Sequence, residues 1–227
     1  MKSKKLIIYG SGETAEIAAD YFIHDSDYEV IAFTVDKNYL VESFVNNIPV
    51  FEFEEITQLF PPNDFEMFVA ASFGKLNQTR TIMYLKAKDK GYKLANYVSS
   101  KAFIWHNVEL GENVFIFENN VIQYKVKIGN NVTLWSGNHI GHQTIIEDNC
   151  FISSHVVISG FCRIGKNSFL GVNTSFNDEI DFGKNNVTGN GTVIVKNADS
   201  GFVYVGNPAK AIKSSYEVYE VLENEMA

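Results

Sequence analysis

The chain has 227 residues, 45% of them hydrophobic and 20% charged, which is room for one large domain or two small ones in an ordinary globular protein. A net charge of -8 argues against nucleic acid as a partner, and no stretch approaches the ~20 apolar residues needed to cross a membrane. The apolar run in MKSKKLIIYG is too short for a signal peptide, and the two cysteines, Cys150 and Cys162, make no disulfide framework, so a cytoplasmic location is expected.

Lys5 to Tyr9 (KLIIY) reads as a buried strand that runs directly into Gly10-Ser11-Gly12, and from Glu13 the residues Ala15, Ile17, Ala18, Tyr21 and Phe22 have helical spacing. Strand, glycine turn and helix make a phosphate-binding corner. Gly10 permits the turn, Gly12 lets the backbone approach a ligand, and the helix N-terminus offers N–H groups to an anion. The third glycine of the dinucleotide fingerprint is replaced by Ala15, so a purely structural strand-to-helix turn is the alternative. A second strand, Glu29 to Val35, ends at Asp36, placed to accept hydrogen bonds from a ribose or base, with Lys37 beside it at the ligand edge. A third strand at Glu66 to Ala71, a helix from about Asn77 to Lys90 and a last strand at Lys93 to Val98 complete the unit. Two crossovers fit into residues 1–98 where six strands do not, which predicts a small Rossmann-like domain with a mononucleotide-sized site rather than a site for NAD.

From Ile104 every sixth residue as far as Ile194 is large and apolar except Thr188, a smaller side chain commonly stands four residues after each, and glycine often follows directly. A period of six fits neither an α-helix nor a flat amphipathic strand. It predicts a parallel β-helix over residues 99–213, in which three hexads close one coil and residue n lies against residue n+18. Cys150 and Cys162 fall at the small inward position. Counting by eighteen from His142, two residues after the anchor Ile140 and therefore outward, gives Gly160, Asp178 and Lys196. A glycine one coil from an outward histidine is expected to leave space for a thin ligand, and Lys196 to suit a phosphate; Lys166 and Lys184 form a second basic edge, with ordinary solvated lysines as the alternative. His139 and His142 lack a third ligand at metal-site spacing, so no metal is expected. Trp135, Phe151 and Tyr124 line a cleft or pack an interface. After the coils, Asp199-Ser200-Gly201 turns the chain, Gly206 to Lys210 is expected to be a loop, and Ser214 opens a short capped C-terminal helix over 214–227, with Tyr216, Tyr219, Leu222 and Met226 as its packing face.

Gly10-Ser11-Gly12, Val35-Asp36-Lys37, Gly74 to Arg80, the hexads, His142-x3-Ile146-x-Asp148 and Gly206-Asn207-Pro208-Ala209-Lys210 together resemble the bacterial hexapeptide-repeat sugar acyltransferases, of the sialic acid O-acetyltransferase and nucleotide-linked amino-sugar N-acetyltransferase type. The resemblance implies a front domain that holds a nucleotide-linked sugar, a left-handed β-helix that forms a homotrimer, and acetyl-CoA in the cleft between neighbouring helices. It implies that His142 is the general base. The carboxylate that usually follows this histidine is Gln143 here, which leaves the orienting partner of His142 open. Gly160 matches a position whose N–H approaches the thioester, Pro208 and Lys210 lie in a loop near the adenine end of CoA, and Asp148 matches a structural corner residue. The expected acceptor is a sugar amine; a hydroxyl acceptor, or a non-catalytic assembly protein with the same coils, are the alternatives.

Overall fold

The computed structural model describes residues 2–220, which divide into two compact units, 2–72 with 80–97 and 73–79 with 98–220. Leu222 and Met226 of the expected C-terminal helix lie outside the described residues.

The first unit is a parallel sheet carrying helices. Its elements are β1 (Lys4–Tyr9), α1 (Glu13–His24), β2 (Tyr28–Val35), β3 (Phe44–Val45), β4 (Ile48–Glu52), α2 (Ile56–Leu59), β5 (Glu66–Val69) and α3 (Gln78–Asp89). The strand order is β3-β4-β2-β1-β5, with β1 between β2 and β5 and buried from Leu6 to Tyr9. The β3–β4 hairpin is an addition to the expected elements. Its two-residue turn is Asn46-Asn47, both at positive φ (47° and 65°), as a tight hairpin requires and asparagine tolerates. Lys93–Val98 does not form the expected full strand: Leu94 makes an isolated bridge to Met67, and only Tyr97–Val98 is extended as a strand.

The second unit is the β-helix, with the eighteen-residue register intact in every pair from Phe103–Ile104 to Val193–Ile194 and shortened to sixteen where Val187 faces Val203. Val121 faces His139, His139 faces Val157, Lys127 faces Ile145, and Thr133 faces Phe151. Three parallel faces result. The first runs from Phe103–Ile104 through His139–Ile140 to Val193–Ile194, the second from Glu109–Leu110 to Asp181–Phe182, and the third from Phe115–Ile116 to Val187–Thr188. Each coil is joined to the next by regular backbone bonds, such as Gly141 N–H to the Ile158 carbonyl at 2.7 Å. The anchors from Ile116 to Ile194 fill one continuous core together with Cys150 and Cys162. Truncating one such anchor to alanine is expected to cost about 2–5 kcal/mol. The polar anchor Thr188 is accommodated because its Oγ1 accepts the Gly171 N–H (2.9 Å) and pairs with Thr174 Oγ1 (2.8 Å).

The coils turn through left-handed residues, one per hexad from Asn113 to Gly191. Between the second and third faces all of these are asparagines, 113, 131, 149, 167 and 185, and their amides form a ladder. Asn113 donates to Asn131, Asn131 to Asn149, Asn149 to Asn167 and Asn167 to Asn185, each at 2.8–3.0 Å. Asn185 closes it by donating to the Tyr216 hydroxyl at 2.8 Å. Asparagine is the side chain that both tolerates the left-handed region and can be donor and acceptor in such a stack.

The third face is covered by the segment 73–79 of the same unit. Phe73 packs on Phe169 (centroids 4.4 Å) and Phe151 (5.4 Å), and Asn77 donates to the Asn167 and Ser168 carbonyls. Trp135 and Phe151 thus belong to this packed face. Beyond the coils, the segment from Lys210 to Ser214, read in part as a loop, is a strand antiparallel to Phe202–Val205. A short helix, Ser215–Tyr219, follows; its N-cap Ser214 makes no side-chain capping bond, and the Ser215 hydroxyl instead donates to the Asn185 carbonyl at 2.6 Å.

Replacing Asn167 by alanine removes both amide bonds of the middle rung and puts a less tolerant residue at φ 62°. The expected loss is between roughly 2 and 4 kcal/mol by urea unfolding. Asn167→Gly, which keeps the backbone at ease, is expected to lose only the hydrogen-bond share.

Candidate active site

The strongest candidate is the corner between the first and second faces. The strand His139–Ile140 ends at Gly141, and the chain turns through His142 and Gln143 before Thr144 re-enters the core. His142 and Gln143 are both exposed. Gln143 holds the left-handed position (φ 59°) and donates its N–H to the Tyr124 carbonyl at 2.8 Å. Gln123, which stands where many hexads have glycine, accepts the His142 N–H at 3.1 Å and so fixes the backbone under the imidazole. Glu147 does the same for Lys166 at 3.0 Å, one face away.

The imidazole is held by packing. A Cβ built on Gly160 would lie 2.6 Å from His142 Cε1 and 2.8 Å from Nε2, so the ring rests on the Gly160 backbone. Phe161 meets it at right angles, with centroids 5.0 Å apart and planes at 88°. Neither ring nitrogen hydrogen-bonds to a described residue, and the Gln143 amide makes no bond to the ring. The arrangement therefore offers an exposed imidazole with both nitrogens available to a ligand, on a rigid corner.

The column through His142 is as expected, but Gly160 acts differently in two respects. The space expected over Gly160 for a thin ligand is taken by the His142 ring itself. Gly160 is also not a free donor, because its N–H goes to Asp178 Oδ1 at 2.9 Å. Asp178 performs the same corner service as Asp148, which accepts the Asn130 N–H at 2.6 Å, and as Asn190, which accepts the Val172 N–H at 3.0 Å. Lys196 is exposed at the end of the column, and Pro208 and Lys210 are exposed around the turn that leads into the last strand. Lys166 and Lys184 are likewise exposed. Lys166, with Lys127, Glu147 and Ile145, borders an open groove of about 420 Å³ on the second face, separate from the His142 ring.

In the first unit, Gly10, Ser11 and Gly12 form the expected turn into α1. Gly10 has φ +131° and a Cβ there would strike the Ala70 carbonyl oxygen at 2.4 Å, so its requirement is packing against the chain after β5. Gly12 has open space, and no side chain caps the helix N-terminus. Glu13 and Glu16 stand in that first turn and oppose an anion there. Asp36 is not a free acceptor: the Tyr9 hydroxyl donates to one oxygen and Lys86 Nζ to the other at 2.7 Å. Burial, followed by the hydrogen bond to Asp36, raises the Tyr9 phenol well above its ordinary value, so it remains the donor. Lys37 is paired with Glu52 at 3.1 Å, and that bond raises its affinity for the proton. Among the described residues no group of three His, Cys, Asp or Glu side chains is arranged to hold a metal ion.

Residues 125–160, which include this corner, match the bacterial transferase hexapeptide (six repeats) family. Three similar solved structures span nearly the whole chain. A mutant of perosamine N-acetyltransferase from Caulobacter crescentus, in complex with CoA and GDP-perosamine, superposes with a TM-score of 0.81 at 21% identity, over 92% of this chain and 97% of that one. The chain has the fold of the hexapeptide-repeat sugar acetyltransferases. The acetyltransferase domain of PglB from Neisseria gonorrhoeae FA1090 matches it with a TM-score of 0.83 at 24% identity, over 92% and 100% of the two chains, and WeeI from Acinetobacter baumannii AYE with 0.78 at 19% over the same shares. The β-helix is thus left-handed, like theirs. No curated protein matches the chain by sequence.

Sequence reasoning placed His142 outward but gave no role to Phe161, Gln123 or Lys86. Phe161 was within its reach, since it lies eighteen residues after Gln143. Replacing Gly160 by alanine is expected to push the imidazole off the backbone with Tm little changed, because Gly160 lies outside the left-handed region and the displaced group is an exposed ring. A crystal structure of the variant reads this directly; a ring found in its original place would refute the seat.

Proposed function

We propose that the protein is an acetyl-CoA-dependent acetyltransferase that modifies the amino group of a nucleotide-linked amino-deoxy sugar, with His142 as general base. The observation that carries the reading is the exposed imidazole at the first corner of the coils, seated on Gly160 with both nitrogens open to a ligand. The whole-chain likeness to acetyltransferases captured with CoA and a nucleotide-linked amino sugar, or with acetyl-CoA, supports the substrate classes.

In this reading the sugar amine arrives unprotonated and attacks the thioester carbonyl carbon. His142 takes the proton that the attacking nitrogen sheds, the carbon–sulfur bond breaks, and the imidazolium returns the proton to the departing thiolate. A positioned base of this kind contributes roughly 10²–10⁴-fold, and holding both substrates at one corner supplies the proximity term. Gly160, whose N–H is already given to Asp178, is not assigned the oxyanion, and neither buried cysteine is assigned an acyl intermediate. The nucleotide is assigned to the Gly10-Ser11-Gly12 turn with its open Gly12, and to the Asp36-Lys37 edge, where Asp36 would exchange a bond from Tyr9 or Lys86, and Lys37 its bond to Glu52, for one to the ligand. Lys196, Lys210 and Pro208 are assigned to CoA.

Assembly is part of the proposal. Phe103, Trp105 and Val157 on the first face, with Tyr124 and Val195 at its corner, are large apolar side chains that remain exposed in the single chain. Packed against a neighbouring copy in a homotrimer they would shelter the cleft beside His142, and a monomer by light scattering would argue against a shared cleft.

Thiol release from acetyl-CoA, measured against UDP-, dTDP- and GDP-linked 4-amino sugars and free sialic acid, tests the function. Turnover of one amino sugar is expected, falling 10²–10⁴-fold in kcat for His142→Ala. Turnover of sialic acid alone would move the reading to a hydroxyl acceptor, and an unchanged rate in the variant would remove His142 as the base.

A further inference from the structure

The corner that carries His142 differs from the others in its left-handed residues. Between the second and third faces these are all asparagines, whereas at the His142 corner they are Lys125, Gln143, Phe161 and Glu179, at φ 54–59°. A bulky aromatic in this region is an outlier that costs free energy, and such outliers persist where the surroundings or the function hold them. Phe161 is also half exposed in the single chain, so packing within its own coils does not account for its presence.

What Phe161 does is visible in its contacts. Its ring stands perpendicular to the His142 imidazole at 5.0 Å. Its N–H donates to the His142 carbonyl at 2.9 Å, so ring and backbone of the histidine are gripped by one residue. Its predecessor Gly160 supplies the surface under the imidazole. Edge-to-face contact fixes the relative orientation of two rings beyond simple burial. The position next to the histidine, where a carboxylate would orient it, holds Gln143, whose side chain makes no bond to the ring.

We infer that Phe161 is the positioning residue of His142, setting the plane of the imidazole from the neighbouring coil by an aromatic contact in place of an adjacent carboxylate. The inference rests on the reading of His142 as the base. It assigns Phe161 no contact with the reacting atoms, and it explains why a left-handed corner has been given to an aromatic side chain.

Asparagine is the residue that this backbone favours, so Phe161→Asn removes the ring while easing the turn. Its Tm is expected to equal or exceed that of the wild type. In ligand-free protein labelled at histidine, with the His142 signal identified by its absence in His142→Ala, the ring-proton resonances of His142 are expected to lose the displacement that the phenyl ring imposes. The kcat for transfer from acetyl-CoA to the amino sugar that the wild type accepts is expected to fall roughly 10–100-fold, the scale of a misplaced catalytic group, with KM unchanged, and Phe161→Tyr is expected to restore both signal and rate. An unmoved His142 resonance with full kcat in Phe161→Asn would overturn the inference and leave the base intact. A raised KM with the resonance in place would make Phe161 a lining residue instead, and failure of Phe161→Asn to fold would contradict the strain on which the argument stands. Should His142→Ala keep its activity, the base reading fails separately, while the resonance still reports whether Phe161 orients the ring.

Discussion

Stacking at an interval of eighteen residues is the constraint on which the second unit depends. Each coil contributes only two-residue strands, too short to hold together alone, and gains its order from parallel backbone bonds to the coils on either side. That arrangement leaves little freedom: inward anchors must be apolar and of similar size, the residue after an anchor must often be small because the next coil passes within contact distance, and the third residue must accept a left-handed backbone. At Gly129 and Gly165, for example, an added Cβ would lie 2.4 Å from Asp148 Oδ1 and 2.5 Å from the Lys184 nitrogen. The outward positions are what remains for function.

Two of the corners use that remainder differently. The asparagine corner satisfies itself through its amide ladder and ends on Tyr216, which ties the last described helix to the coils. The His142 corner gives up the asparagines and with them the ladder. It replaces that internal satisfaction with a histidine, a glutamine and an aromatic ring that face outward, and it retains stability through backbone bonds from Gln143, Phe161 and Glu179 to the preceding coil. A site built on such a corner is rigid without a large buried polar network. The surrounding coils supply that rigidity, which is the condition under which a single base is useful.

The coils were legible in the sequence because their physics is periodic: an anchor every sixth residue is visible without any knowledge of contacts, and it fixes which side chains point outward. Asn46-Asn47 between Phe44-Val45 and Ile48–Glu52 was an available hairpin signal in the first unit that the helical and strand periods alone did not register. The strand Lys210–Ser214 was not legible, since its first four side chains are exposed and only backbone pairing makes it a strand. The fates of Gly160 and Asp36 were hidden for a different reason. Register says which residues are neighbours, but not that the imidazole would lie down on the glycine, nor that Tyr9 and Lys86 would reach the carboxylate from β1 and α3.

The central claim is that His142 and its seat form the acyl-transfer site, and the most direct test is a crystal structure of the protein with CoA bound. The account predicts the pantetheine thiol beside the His142 imidazole, between the coils of two neighbouring copies, with the ring still resting on Gly160 and against Phe161. CoA settled in the groove bordered by Lys127, Glu147 and Lys166, with its thiol remote from His142, would contradict it.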